Sequence, residues 1–262
     1  MIELFHWEPN TFSLKPLVVL HEKELDFASR YTNFQDPACA IAAPGGSETE
    51  LTHNPELTGP VLVDRGTAMA ESFFVSLYLD EAYPQRPLRP SDAKGRWRVL
   101  MWARHVNEVL TPAICTLGCK TFLVPALKMR ERAPLEAAIA ALPTLEKRNA
   151  WLDALDDRYG TDLLEDSRRK IAQSVAKIEA ALGQSSWLAG DEYSLADIDA
   201  YAFMAPVRVL APDLLTAAIA PRVLKWLGSI DERPAVRAAL ATSKTGAPRE
   251  AFAPGAEHSR WG

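Results

Sequence analysis

Ser13 stands in the run Pro9-Asn10-Thr11-Phe12-Ser13-Leu14-Lys15-Pro16, at the head of an apolar-periodic stretch. A serine at a helix start gathers a hydroxyl donor, unpaired backbone N–H groups and the positive end of the helix dipole, and all three favour an anion. A thiolate would be stabilised there: lowering a thiol pKa of about 8.5 by two units takes roughly 2.7 kcal/mol. Capping alone accounts for the same serine. A second set, Ser194-Leu195-Ala196-Asp197, lies between Tyr193 and Ile198. Its spacing is that of a capping box, in which the Ser194 hydroxyl accepts from the Asp197 N–H and the Asp197 carboxylate reaches back to the Ser194 N–H. Such a box contributes roughly 1 kcal/mol and marks a helix start rather than chemistry. A third pair, Glu71-Ser72, caps a predicted helix over residues 73–81.

These residues need a scaffold, and the composition supplies one. With 262 residues, 48% of them hydrophobic, the chain buries a substantial core and is long enough for two compact domains. A net charge of -5, with Lys and Arg scattered, gives no field for phosphate backbones, so no nucleic-acid partner is expected. The segment Met1 to Trp7 lacks a basic region followed by an apolar one, and no stretch approaches about 20 uninterrupted apolar residues. The expectation is a cytoplasmic protein with no membrane partner. Three cysteines make no disulfide framework; Cys115 and Cys119, at i and i+4, read as helix packing, and no metal is expected.

Residues 2–6 alternate as a half-buried strand, and residues 13–24 place Leu14, Leu17, Val18 and His21 on one helical face. Ser13 is then the N-cap and Pro16 the third helical position, where a missing N–H breaks no bond. Residues 25–31 supply a second strand, residues 35–53 read as loop, and residues 60–63 and 67–69 form a hairpin turning at Asp64-Arg65-Gly66. Beyond Pro90 the pattern is helical. Ser91 caps a helix carrying Val99, Trp102, Ala103, Val106 and Leu110 until Pro112 interrupts it, and residues 168–182 form another around Ile171, Val175 and Ile178. The division is residues 1–82, a linker 83–91, an all-helical unit 92–241, and an irregular tail 242–262.

The run from Trp187-Leu188-Ala189-Gly190 to Ile198 resembles the signature that opens the core helix of the all-helical domain of glutathione transferases. Three features of the first half share the resemblance: Ser13; the loop Asn54-Pro55-Glu56-Leu57-Thr58-Gly59-Pro60, similar to the family's loop ending in a cis proline; and Glu71-Ser72. The resemblance implies an α/β thioredoxin-like N-terminal domain, an all-α C-terminal domain, and glutathione as co-substrate. It implies that Ser13, helped by Asn10 or Thr11, stabilises the thiolate, and that Gly59 beside Pro60 pairs with the cysteinyl backbone. Glu71 and Ser72 would hold the γ-glutamyl end. An aromatic substrate would meet Trp7, Phe12, Trp102, His105 and Asn107, although core packing accounts equally for such aromatics.

Residues 12–23, opening Ser-Leu-Lys-Pro, further resemble the bacterial β-aryl etherases of lignin-degrading sphingomonads, and the helical insertion near residues 123–166 agrees. That branch implies a thiolate displacing an aryloxide at a β-carbon, in a homodimer or a heterodimer with a related subunit. The departures are specific. Gly59 replaces the usual Val or Ile, and no Lys or Arg falls between residues 35 and 59, which leaves His53 to meet the glycine carboxylate. No tyrosine lies in the first-strand loop and no cysteine at the helix start, against the Tyr-activated and disulfide-forming classes. A weakly catalytic or non-catalytic subunit, or a general detoxifying transferase, carries the same motifs.

Overall fold

The computed structural model describes residues 1–33, 36–37 and 59–254. His53, Cys39 and all but residues 36–37 of the loop expected over residues 35–53 lie outside them. Strand β1 (Ile2–His6) shows the alternating burial its sequence predicts. Strand β2 (Phe27–Tyr31) runs parallel to it, and helix α1 (Thr11–Glu22) makes the crossover that a parallel pair requires. Strands β3 (Val61–Asp64) and β4 (Thr67–Met69) join through Arg65 and Gly66, at φ 52° and 86°, the left-handed pair that matches the twist of a tight hairpin. The sheet order is β2-β1-β3-β4. Leu4 and Leu62 pack into the main core with Leu17 and Val18 of α1, while Phe5, Val61 and Val63 form a small cluster of their own. Helix α2 (Ser72–Ala82) lies beside α1.

The helical half departs from the sequence reading in two places. Asp92, not Ser91, caps α3 (Ala93–His105): its carboxylate accepts the Gly95 N–H at 2.9 Å from an extended backbone that suits a cap. Pro112 does not end the helix either. A π-turn at Val106–Leu110 precedes α4 (Thr111–Gly118), and another at Cys119–Leu123 precedes α5 (Val124–Lys128). There the Thr111 and Val124 N–H groups reach back five residues, to Val106 and Cys119. Each widened turn stands just before a proline, Pro112 or Pro125, and absorbs its ring and missing N–H, so one helical path runs from Ala93 to Lys128. That helix is long and apolar enough by composition to cross a membrane, but half of its apolar window is buried inside the protein.

Helices α6 (Arg132–Ala140), α7 (Leu145–Leu155) and α8 (Thr161–Ala181) follow. α8 begins seven residues ahead of the expected start, because residues 161–167 form its first turns before the apolar stripe of Ile171, Val175 and Ile178 is established. In α9 (Leu195–Met204) every residue is buried, as in the centre of a bundle. The expected capping box closes its start: the Asp197 carboxylate accepts the Ser194 N–H at 3.0 Å and its hydroxyl at 3.1 Å. Helices α10 (Val207–Leu210), α11 (Pro221–Asp231) and α12 (Pro234–Leu240) complete the bundle. α1 packs on α9 and α12, and so joins the two halves. Among the described residues beyond 242, a 3-10 turn (Pro248–Glu250) interrupts an irregular path.

Candidate functional site

Strand register sets the site. Phe5 pairs with Val61, His6 with Tyr31 and Leu62 with Met69, so the residues that follow β1, precede β3 and follow β4 emerge at one end of the sheet. Those residues are the loop from Trp7 to Asn10 leading into α1, the Gly59–Pro60 bond, and Glu71-Ser72 at the start of α2. The Gly59–Pro60 bond is cis, as the resemblance implies.

Ser13 is not the N-cap. Asn10 holds that position in extended backbone, Thr11 turns into the left-handed region at φ 42°, and Ser13 becomes the third residue of α1. Pro16 is therefore the sixth helical residue rather than the third. A β-branched residue at positive φ is costly, by roughly 1–2 kcal/mol, and persists only where its surroundings fix it. The turn aims the Ser13 side chain back at the preceding loop, where Oγ accepts the backbone N–H of Trp7 at 3.2 Å. A hydroxyl that accepts on one side has its proton left to give to an anion.

The Asn10 side-chain amide donates to the Ala251 carbonyl at 3.0 Å. The Asn10 backbone carbonyl accepts the Ser13 N–H at 3.1 Å. Glu71 is the N-cap residue of α2 at φ 67°, and Ser72, buried, opens the helix. Although the Glu71 residue reaches solvent, desolvation of its carboxyl pushes the pKa up while the Lys15 ammonium pulls it down.

Of the residues expected to meet an aromatic substrate, Trp7 and Phe12 flank the start of α1, and Trp102, His105 and Asn107 lie on the helical path from Ala93 to Lys128. Phe12 meets Phe203 of α9 edge-on at 5.2 Å between ring centroids. Trp102 donates from its indole to the Leu188 carbonyl at 2.8 Å and lies under the Lys177 ammonium. His105 shares a hydrogen bond with Ser174 of α8, and burial, then Lys177, pushes its pKa down to about 4. Asn107 donates to the Ala103 carbonyl one turn back, at 2.7 Å. The period that marked these residues coincides with contacts between this helical path and the bundle. Cys119 is buried and Cys115 nearly so, and burial raises both thiols, Cys115 to about 12, which suits packing. Among the described residues no cluster of potential metal ligands occurs.

Two buried ionic groups escaped the sequence reading. Lys15, in the quoted Ser-Leu-Lys-Pro run, reaches Asp199 of α9 at 2.5 Å with both side chains almost fully buried, and its ammonium lies 4.8 Å from the Phe203 ring centre. A lysine inside an otherwise apolar helix face was its only signal. Glu8 is 1% exposed and accepts from Tyr31 at 2.6 Å, Ser243 at 2.5 Å, Lys244 N–H at 2.8 Å, and Thr245 through N–H at 3.1 Å and hydroxyl at 3.0 Å. Burial pushes its pKa up, but the donors outweigh it and hold the carboxyl below the usual range.

Comparison with known proteins agrees with this arrangement. Residues 119–234 match the family described as glutathione S-transferase, C-terminal domain. The chain is 28% identical over 250 residues to the protein LigF of Sphingobium sp. (strain NBRC 103272 / SYK-6), covering 93% of this chain and 94% of that one. The crystal structure of the beta-etherase LigF from Sphingobium sp. strain SYK-6 superposes with a TM-score of 0.80 at 27% identity, over 92% of this chain and 99% of that one. A glutathione S-transferase from Methylobacillus flagellatus KT with GSH bound shares the fold, with a TM-score of 0.64 at 18% identity, 91% of this chain and 98% of that one being covered. Sheet order, cis proline, capping box and these likenesses lead to one conclusion: the chain has the glutathione transferase fold, and residues 119–234 match that family's C-terminal domain.

Proposed function

We propose that this chain uses glutathione to cleave β-aryl ether bonds in lignin-derived aromatic dimers. The bound thiol releases its proton to water, and the thiolate sulfur attacks the β-carbon. A C–S bond forms as the C–O bond breaks, and its electron pair leaves on the aryloxide, which water protonates. An adjacent carbonyl activates that carbon and phenoxide is a tolerable leaving group, so the protein must mainly supply thiolate and align it.

In this reading the Ser13 hydroxyl and the first-turn N–H groups of α1 stabilise the thiolate. Gly59 pairs with the cysteinyl backbone, the Glu71 carboxylate meets the γ-glutamyl ammonium, and Ser72 with the α2 N-terminus meets its carboxylate. His53 meets the glycine carboxylate, and Trp7 and Phe12 contact the acceptor. The observation that supports the reading most is the Trp7 N–H on Ser13 Oγ, which occupies an acceptor position of the hydroxyl and leaves its proton free to be given to a ligand. Residues 1–82 would then bind glutathione and residues 92–241 complete the acceptor pocket. Trp97, Leu100 and Met101, exposed at i, i+3 and i+4 on α3, support a two-chain assembly.

Calorimetry with glutathione and turnover of a fluorogenic β-aryl ether test this. Glu71→Ala and Ser72→Ala should each weaken glutathione binding about tenfold, the worth of one charge-assisted hydrogen bond. Unchanged affinity in both would remove the glutathione site. Tight binding without ether cleavage would leave a general transferase or a subunit needing a related partner.

A further inference from the structure

We propose that Glu8 is a positioning residue for the Ser13 hydroxyl, and that the C-terminal segment from Ser243 to Phe252 holds it in place. The inference rests on the reading of Ser13 as the thiolate's donor. Glu8 follows Trp7, whose N–H fixes Ser13 Oγ. The Glu8 carbonyl accepts the Asn10 N–H at 2.7 Å, and the Asn10 carbonyl accepts the Ser13 N–H at 3.1 Å, so backbone bonds link Glu8 to the hydroxyl-bearing residue. Four of the five hydrogen bonds on the Glu8 carboxylate come from residues 243–245, across more than 230 residues of sequence.

The same segment returns to the loop a second time, where Ala251 accepts the Asn10 amide. Phe252 then anchors it. The ring is 2% exposed, stacks parallel to Phe122, and lies so close to Gly118 that a Cβ there would come within 2.2 Å of it. The loop from Trp7 to Ser13 is thus held at two points, Glu8 and Asn10, by residues 243–251. A buried carboxylate stripped of these donors is strongly disfavoured and must find water. Freeing the segment therefore opens the loop, carries the Trp7 N–H away, and leaves the Ser13 hydroxyl without a fixed direction. Tail docking and thiolate stabilisation are one structural event.

The test uses the full chain with Glu8→Gln, and with Ser243→Ala/Thr245→Ala, which spares the carboxylate, Tyr31 and both backbone donors. Bound glutathione is titrated by thiolate absorbance, kcat and KM are separated, and tail release is followed as tryptic cleavage after Lys244. Glu8→Gln should raise the bound thiol pKa by about one unit, and so lower kcat at pH 7 by up to about tenfold. KM for glutathione should stay within about twofold, because the binding contacts are elsewhere. The double variant should shift both readings the same way by a smaller step, and it carries the test if Glu8→Gln does not fold. Faster cleavage after Lys244 with unchanged thiol pKa and kcat would overturn the inference. Wild-type protein that fails to bind glutathione would instead sink the reading of the site beneath it.

Discussion

The Asp197 carboxylate accepts the indole N–H of Trp226 at 3.0 Å, tying the start of α9 to α11 across the bundle. The same oxygen accepts the Leu188 N–H at 3.0 Å, and its twin serves Ser194. Asp197→Ala would leave the Trp226, Leu188 and Ser194 N–H groups buried without acceptors, at about 1–3 kcal/mol each. The expected loss is at least about 3 kcal/mol in urea unfolding, above the roughly 1 kcal/mol of an ordinary capping box. A variant of wild-type stability that had lost turnover would move Asp197 from scaffold to chemistry.

Burial pushes the Asp197 pKa up to about 6 against the pull of its hydrogen bonds. Its folded pKa lies above the unfolded one, so the native state holds this proton more tightly between about pH 4 and 6. The resulting stability is present below the unfolded pKa and lost as pH rises through 6, on the order of 3 kcal/mol in all. Asp197→Asn has no such proton. Urea melts of both proteins at pH 4.5 and 7 should show the wild type losing ground relative to the variant as pH rises; parallel profiles would mean a normal Asp197 pKa.

Ser13→Ala should raise the pKa of bound glutathione and lower turnover at pH 7 while sparing ground-state affinity. Because first-turn N–H groups remain, the fall should be partial, on the order of tenfold. Unaltered thiol titration and turnover would reduce Ser13 to the acceptor for Trp7.

Lys15 and Asp199 form a buried pair in which each charge depends on the other. Lys15→Met should cost about 3–5 kcal/mol by stranding Asp199, whereas Lys15→Met/Asp199→Leu should return close to wild-type stability. Thermal melts of the single and double variants decide it. A double variant as unstable as the single one would show that the pair does more than neutralise itself.

Local rules made β1, the Arg65-Gly66 turn and the Ser194–Asp197 box legible, because each is settled by residues within a few positions of one another. The Ser13 cap failed at the same scale: a left-handed Thr11, which no local preference favours, moves the helix start ahead of the serine. Pro112 misled for the opposite reason, since a π-turn lets a helix keep a proline that propensity forbids. What stayed hidden was long-range. Trp226 on Asp197, Asp199 on Lys15 and Ala251 on Asn10 join positions that no periodicity connects. Trp102 and His105 likewise have partners, Leu188 and Ser174, that no spacing along the chain announces.

Glu8 leaves the ribosome more than 230 residues ahead of Ser243, Lys244 and Thr245. A nascent chain can complete β1 and α1 early, yet the carboxylate beside them stays in water until residues 243–245 have been made. Shortened chains ending before residue 243 would lack those ligands altogether, however well their sheet and bundle had formed. The order of synthesis thus sets the loop after β1 only once the chain has passed residue 245.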